Sequence, residues 1–239
     1  MRWSLAVLGS VLALALGTSG PAGAASCGAG GYSYAGLAAP THAFGIGATV
    51  TPLAAFSIST GHVAGWVGVG GPGEGPGGKD EWIQVGYNAI GGIGGPNLYY
   101  EVTRAGGLPT YHQIAAGLQV GQPRRVAVLE MHARPNWWRV WVNGSAVTKP
   151  INLPGSHGRW SPIATAESWD GGSGAVCNAF LYRFQRVAIA HAPGGGWAPL
   201  AHGMPIGSGS ALVKHSSSSA SFIAAQGAEA VRSLATFSR

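Results

Sequence analysis

"EWIQVGYNAI", residues 81–90, is the stretch that decides the fold class of this chain. Its side chains alternate with a period of two, which is the pattern of a β-strand rather than of a helix. The alternation places Trp82, Gln84 and Gly86 together on one face of the strand. A polar amide between an indole and a bare glycine is either a surface residue or a group that points into a cleft, where Gly86 would leave room beside it.

Seven further stretches are similar in composition, being rich in Val, Ile, Tyr and Trp and ending at Gly, Pro or Asn turns. They cover 44–58, 61–70, 97–104, 124–133, 136–144, 161–169 and 175–190. Short strands at this spacing are typical of an all-β sandwich or barrel. Asn143-Gly144, between two apolar runs, indicates a two-residue hairpin turn. We predict an all-β fold, an antiparallel β-sandwich of jelly-roll or concanavalin A-like type, over residues 27–199.

The two ends of the chain differ from this pattern. Residues 1–25 predict a secretory signal peptide, because Arg2 precedes a short apolar run that ends in small residues. That run is too short for an ordinary membrane span, and no later stretch is long and apolar enough to be one. We expect a secreted, extracellular protein without a transmembrane segment. Residues 200–239 are rich in Ser and Gly, and we expect a disordered tail with at most a short helix.

The chain has two cysteines, Cys27 and Cys177. In an exported protein an even pair suggests one disulfide, here joining the mature N-terminus to a late strand. The other interpretation is that Cys27 is the lipid-anchored first residue of a lipoprotein, although no Leu stands in the three residues before it.

Composition and motifs exclude several classes of function. The formal net charge is +6, but the cations are scattered rather than clustered, so we expect no nucleic-acid partner. The eight His residues show no metal-ligand spacing, and no G-x-S-x-G nucleophile motif is present. We therefore expect no metal and no cofactor. The paired strand carboxylates of sandwich-fold glycosidases are also missing.

The remaining candidates are carboxyl groups on predicted strands. Alternation puts Glu167 on the same face as Trp169, and Glu101 on the same face as Tyr99. Glu130 also lies on a strand. Each could simply be on the solvated face of a sheet, and that interpretation is strongest for Glu130. A carboxyl held against an apolar indole, as Glu167 would be, instead suits a general acid or base.

Short blocks of the sequence resemble, in the same order, those of the glutamic peptidases, the eqolisin family. The blocks are "YAGLAAP" (34–40), "GWVGV" (65–69), "WIQVGYN" (82–88), "LYYEV" (98–102) and "TAESW" (165–169). The resemblance implies a β-sandwich peptidase that cleaves protein or peptide substrates in acid. It covers residues from about 34 to 170.

The resemblance also implies roles for individual residues. The family's catalytic Gln and Glu correspond to Gln84 and Glu167. Glu167 would activate the attacking water and return a proton to the leaving amine, and Gln84 would donate a hydrogen bond to the oxyanion. The other matched residues would line or support the substrate cleft: Trp66, Trp82, Gly86, Glu101 and Trp169.

This chain departs from the family at three positions. Gly70 and Asn88 stand where the family has Asp residues, and Ser168 separates Glu167 from Trp169. These changes could alter the pH dependence or abolish activity, since a shared fold does not guarantee shared chemistry.

The alternative function is a non-catalytic, lectin-like module that binds polysaccharide or cell wall. In "NWWRVWVNG" (136–144), Trp137, Arg139 and Trp141 share one strand face, which would form a flat stacking platform for sugar rings if exposed. For either function we expect a monomer.

Overall fold

The computed structural model describes residues 28–29, 31–176, 178–207, 212–215 and 219–234. The predicted signal peptide and both cysteines, Cys27 and Cys177, lie outside these ranges. Within them, no helix has the length and apolar character needed to cross a membrane.

The described residues form eighteen strands and one α-helix, with one turn of 3₁₀ helix at Pro76–Gly78. The strands are β1 Gly28–Ala29, β2 Tyr32–Ala38, β3 Gly45–Pro52, β4 His62–Gly71, β5 Glu81–Ile90, β6 Gly94–Thr103, β7 Thr110–Ala115, β8 Arg124–Glu130, β9 Trp137–Val142, β10 Ser145–Ala146, β11 Ile151–Asn152, β12 Pro162–Trp169, β13 Ala175–Val176, β14 Phe180–Ala192, β15 Gly195–Pro199, β16 Met204–Gly207, β17 Leu212–His215 and β18 Ser221–Gln226. The helix is α1, Ala228–Leu234.

The strands build two antiparallel sheets that pack face to face, which confirms the predicted β-sandwich. In the described part of the chain, one sheet has seven strands in the order β16-β2-β12-β4-β5-β6-β7. The other has nine, in the order β10-β9-β8-β3-β14-β18-β17, with β11 on β9 and β15 on β14. A separate pair joins β1 to β13.

The core lies between the two sheets and follows the alternation of the sequence. On β5, Ile83, Val85 and Tyr87 are fully buried in it, so the predicted division of this strand into two faces is confirmed. Each fully buried apolar side chain contributes about 1.5–3 kcal/mol. Gln84, on the other face, is thereby directed away from the core and onto the outer surface of the seven-stranded sheet.

The predicted hairpin turn at Asn143-Gly144 is also confirmed. Both residues have positive φ, 50° and 85°, and Val142 pairs with Ser145. Asn and Gly tolerate this left-handed backbone, which matches the twist of the two strands.

The expected disordered tail is wrong for the described residues beyond 200. Strand β16 extends the seven-stranded sheet, and β17 and β18 extend the other. Phe222 of β18 is buried and stacks on Phe184 at 4.7 Å. The small and polar residues of this segment hide an alternation that puts Phe222, Ala224 and Gln226 inward. The short helix is present as α1.

Candidate active site

A cleft of about 900 Å³ lies on the outer face of the seven-stranded sheet. Every strand of that sheet contributes at least one lining residue, among them Ile206, Tyr34, Glu167, Trp66, Gln84, Glu101 and Tyr111. Since neighbouring strands lie about 4.8 Å apart, the cleft runs across the strands for about 29 Å. It is therefore shaped to hold an extended chain rather than a compact small molecule.

Five of the residues singled out in the sequence line this cleft together. They are Trp66, Trp82, Gln84, Glu101 and Glu167. Two others, Gly86 and Trp169, are close to it but do not line it.

Gln84 is placed by the register of β4 and β5. Its neighbour on β4 is Gly68, where a Cβ atom would come within 2.8 Å of the Gln84 Cβ. The glycine thus provides the space that Gln84 occupies. The Gln84 amide donates one hydrogen bond from Nε2 to the Tyr99 hydroxyl at 3.0 Å, and the residue is only 7% exposed. Tyr99 fixes the orientation of the amide, which keeps a second N–H for a ligand.

Glu167 lies on β12, beside Ala64 of β4. It is 6% exposed, and its Oε1 lies 3.3 Å from His62 Nε2, a contact that becomes an ion pair when the imidazole is protonated. Gln84 lies on β5, two strands from β12, and it is opposite Gly68, four residues beyond Ala64 on β4. The Cα atoms of Glu167 and Gln84 are therefore separated by about 13 Å along the strands and about 10 Å across them. On β4, Trp66 stands midway between Ala64 and Gly68, the residues beside Glu167 and Gln84.

Glu101 is the second carboxyl of the cleft. It lies opposite Gln84 on β6, and its Oε1 accepts a hydrogen bond from Trp82 Nε1 at 3.0 Å. Burial raises the pKa of Glu101, and the charge of Glu167 raises it further, while the Trp82 hydrogen bond opposes both effects. Glu101 therefore holds a proton to higher pH than an ordinary glutamate, and in that form it can donate a hydrogen bond.

Tyrosines provide much of the remaining polar surface of the cleft. Burial, with a smaller effect from the Glu167 charge, raises the pKa of Tyr34 and of Tyr99 well above the ordinary value. Both phenols thus stay neutral at acid and neutral pH, where they act as hydrogen-bonding groups and not as nucleophiles.

The expectation that Gly86 leaves room for substrate is wrong. A Cβ atom there would lie 2.1 Å from the Gly65 carbonyl oxygen and 2.6 Å from the Trp66 Cα. Gly86 is required because β4 passes so close to it. The absence of a side chain at Gly86 lets Trp66 lie in the cleft.

Trp169 supports the cleft from behind. Its ring lies 5.6 Å from the His62 ring and 6.2 Å from the Tyr32 ring, and these two residues line the cavity. Trp169 therefore contacts two of the residues that line the cleft.

The two departures from the family's acidic residues have different structural settings. Gly70 has φ +81°, and a Cβ atom there would lie 2.3 Å from the Glu81 carbonyl oxygen, so no Asp fits this backbone. Both residues line the cleft, and there the Asn88 Oδ1 accepts a hydrogen bond from the Tyr111 hydroxyl at 3.5 Å. At position 88 the cleft therefore has a neutral amide in place of the family's carboxyl group.

Sequence reasoning did not predict His62 as a site residue, and it placed Tyr99 on the face of Glu101 without giving it a role. Both stand on the cleft face by strand alternation: His62 is two positions before Ala64, and Tyr99 two before Glu101. That pattern could have indicated the face, but each contact is made across strands and depends on register. Among the described residues, no three His, Cys, Asp or Glu side chains are grouped as metal ligands.

The aromatic ribbon on β9 does not form the open platform that polysaccharide binding requires. Trp138 is fully buried in the core, and Trp137 and Trp141 are only partly exposed. The Arg134 guanidinium lies 4.2 Å over the Trp137 ring and occupies its face. The indole N–H of Trp141 is itself buried.

Comparison with known proteins finds similar folds among solved structures but no similar sequence. No family model matches the chain, and no curated protein matches it. Scytalido-glutamic peptidase, solved with a peptide-based transition-state analogue, matches with a TM-score of 0.57 at 14% identity, covering 83% of this chain and 98% of the other. SCP-B of the eqolisin family, solved with the tripeptide Ala-Ile-His, matches with a TM-score of 0.51 at the same identity and the same coverage of both chains.

At 14% identity these matches establish the fold alone. They extend over almost the whole of both peptidases, and so include both sheets of the sandwich. The structural neighbours of this chain therefore include glutamic peptidases of the eqolisin family, with which it shares a two-sheet architecture.

Proposed function

We propose that this chain is an endopeptidase of the glutamic type. The observation that carries the proposal is that Gln84 and Glu167 line one cleft on one face of one sheet. These are the two residues matched to the catalytic pair of the family whose fold the chain shares. Had the two side chains been on opposite faces or different sheets, the chemistry would not be available to them.

In the proposed reaction, the Glu167 carboxylate accepts a proton from a water molecule while the water oxygen attacks the scissile carbonyl carbon. The free N–H of the Gln84 amide donates to the oxyanion that forms, a type of interaction worth about 10²–10³ in rate. The tetrahedral intermediate collapses as Glu167 delivers the proton to the leaving nitrogen. The products are a new carboxyl group and a new amine.

The shape of the cleft favours cleavage within a chain rather than at its end. A cleft of about 29 Å accommodates roughly eight residues of extended polypeptide. The cleft extends to both edge strands of the sheet, where Ile206 and Tyr111 line it. A bound polypeptide can therefore continue beyond the cleft at each end. Aromatic walls such as Trp66 and Trp82 would contact substrate side chains, and the Glu101 carboxyl would hydrogen bond to substrate when protonated.

We also propose that the protein is exported and carries a Cys27–Cys177 disulfide. Support for the disulfide comes from the neighbouring residues, since Gly28 pairs with Val176. Mass spectrometry of the purified protein before and after reduction tests the bond: a mass increase of two hydrogens is expected, and no change would contradict it.

The test of the function is digestion of an unfolded protein by the purified chain, scanned from acid to neutral pH. Glu167→Gln and Gln84→Ala are measured alongside, with circular dichroism to establish that each is folded. We expect cleavage on the acid side that both substitutions greatly reduce. Absence of cleavage by the folded wild-type protein at every pH would reject the peptidase.

A further inference from the structure

His62 is the partner of the proposed catalytic carboxyl. It is the first residue of β4, and its Nε2 lies 3.3 Å from Glu167 Oε1. This contact is the hydrogen bond that the structure shows for the Glu167 side chain among the described residues. A glutamate with a single partner on one oxygen keeps its second oxygen available for a water molecule.

The His62 ring is held in place by two aromatic neighbours. Trp169 lies 5.6 Å away on one side, and Tyr32 lies 6.3 Å away with its ring edge-on. Such edge-on and tilted aromatic contacts are favourable, and they limit the rotation of the imidazole.

The backbone at His62 is anchored as well. Gly61 has φ +71°, and a Cβ atom there would lie 2.2 Å from the Trp169 carbonyl oxygen, so only glycine permits this close approach. The buried Asn178 amide donates to the carbonyl oxygens of Thr60 at 2.8 Å and of Trp169 at 3.0 Å. These contacts tie the start of β4 to the end of β12, which are the segments that carry His62 and Glu167.

Register shows from which side His62 approaches. Along β4, His62 pairs with Trp169, Ala64 pairs with Glu167, and Gly68 pairs with Gln84. Glu167 thus lies between His62 and Gln84 in the direction of the strands. His62 therefore approaches Oε1 of the Glu167 carboxyl from the side that lies away from Gln84 along the strands.

We infer that His62 is a positioning residue that orients Glu167 for water activation. The inference rests on the proposed peptidase function. Because orientation of a general base matters most in the transition state, its loss lowers kcat more than it changes KM. A misplacement of about 1 Å can cost about 10²-fold in rate.

The test compares His62→Leu with His62→Gln in the full chain. Leu fills part of the space but cannot hydrogen bond, whereas the Gln amide can still donate to the carboxylate. We expect His62→Leu to lower kcat by about 10–100-fold with KM within about twofold, and His62→Gln to recover most of that loss. The matched control is His42→Gln, an exposed histidine outside the cleft, which should leave both constants unchanged.

A spectroscopic measurement tests the contact independently of turnover. In protein labelled with ¹⁵N at histidine, Glu167→Gln should change the Nε2 chemical shift of His62 and leave that of His42 unchanged. A wild-type enzyme that needs Glu167 but is unaffected by His62→Leu would overturn the inference while leaving the proposed function intact. If the wild type cleaves nothing, the proposed function fails, and so does the catalytic role of His62. An unchanged His62 resonance would reject the contact itself.

Discussion

Two glutamate–histidine pairs lie on different sheets of this sandwich, and they differ in how fully the carboxyl is satisfied. Glu130 of β8 is completely buried, and His157 Nδ1 lies 3.0 and 2.9 Å from its two oxygens. The backbone N–H of Asn136 donates to the same carboxyl. Glu167 of β12 has its contact with His62 at 3.3 Å and lines a large cleft.

The comparison shows that burial of a charged residue does not by itself indicate a functional site. Both oxygens of the Glu130 carboxyl contact other segments, the loop before β9 and the turn that carries His157, so Glu130 joins these segments to β8. Glu167 is about as well buried but keeps an oxygen for a ligand. What separates the two is the cavity and the unused hydrogen-bonding capacity.

The largest expected difference is between Glu167→Gln and Glu130→Gln. Glu167→Gln removes the proposed general base and should lower kcat by about 10²–10⁴, with the fold retained. Glu130→Gln should leave the activity of each folded molecule unchanged, and it should lower the free energy of unfolding by about 1–3 kcal/mol, because a buried hydrogen-bonded charge is lost.

Steady-state kinetics and urea unfolding of both variants check this prediction. A Glu130→Gln protein that is folded but as inactive as Glu167→Gln would contradict the assignment of a structural role to Glu130 and a catalytic role to Glu167.

Tyr99→Phe should have a smaller effect on catalysis. It removes the hydroxyl that fixes the Gln84 amide at 3.0 Å while keeping the ring stacked on Tyr111. A single hydrogen bond of this kind contributes about 0.5–1.5 kcal/mol, so kcat should fall by about threefold to tenfold. Tyr100→Phe is the matched control, because Tyr100 stacks on His112 away from the cleft. Equal effects of the two substitutions on kcat would contradict the role of the Tyr99 hydroxyl in orienting Gln84.

The smallest effect concerns Glu81, a further buried carboxyl that belongs to neither pair. Burial raises its pKa, a backbone hydrogen bond from Ala105 and the Arg104 charge oppose the rise, and its Oε2 has no partner. A carboxyl whose pKa is raised in the folded state binds its proton more tightly there than in the unfolded chain. Its contribution to the free energy of unfolding is fully present below the ordinary glutamate pKa of about 4.3, and it is lost as the pH rises through the pKa of the folded state.

Glu81→Gln should therefore stabilise the protein at neutral pH and make little difference in acid. Thermal unfolding of the wild type and the variant across pH measures this, with the exposed Glu74→Gln as control. A variant that is less stable than the wild type at neutral pH would mean that the carboxylate of Glu81 is stabilised in a way its surroundings do not explain.

The sequence predicted those features that depend on strand alternation alone. The period of two on β5 placed Trp82 and Gln84 on one face, which is the face that lines the cleft. The same rule placed Glu101 on the face of Tyr99, and these two residues also line the cleft. Alternation is reliable here because an inward polar residue would be costly to bury.

Features that depend on register or on composition were not predicted. The tight approach of Trp66 to Gly86 and the His62–Glu167 contact arise between strands whose alignment no single strand reveals. Glu130 was assigned to a solvated face because its partners come from later turns. Strand β18 was missed because Ser and Ala dominate it, although Phe222 is buried in the core.

The central claim is that Gln84 and Glu167 act together on one transition state, and a double-mutant cycle tests it most directly. The quantity measured is kcat/KM of the wild type, Gln84→Ala, Glu167→Gln and the double variant on one peptide at acid pH. Groups that act as a unit are strongly non-additive. We predict that the double variant is within about tenfold of Glu167→Gln alone. Losses that multiply in full, or substantial activity retained by Glu167→Gln, would contradict the claim.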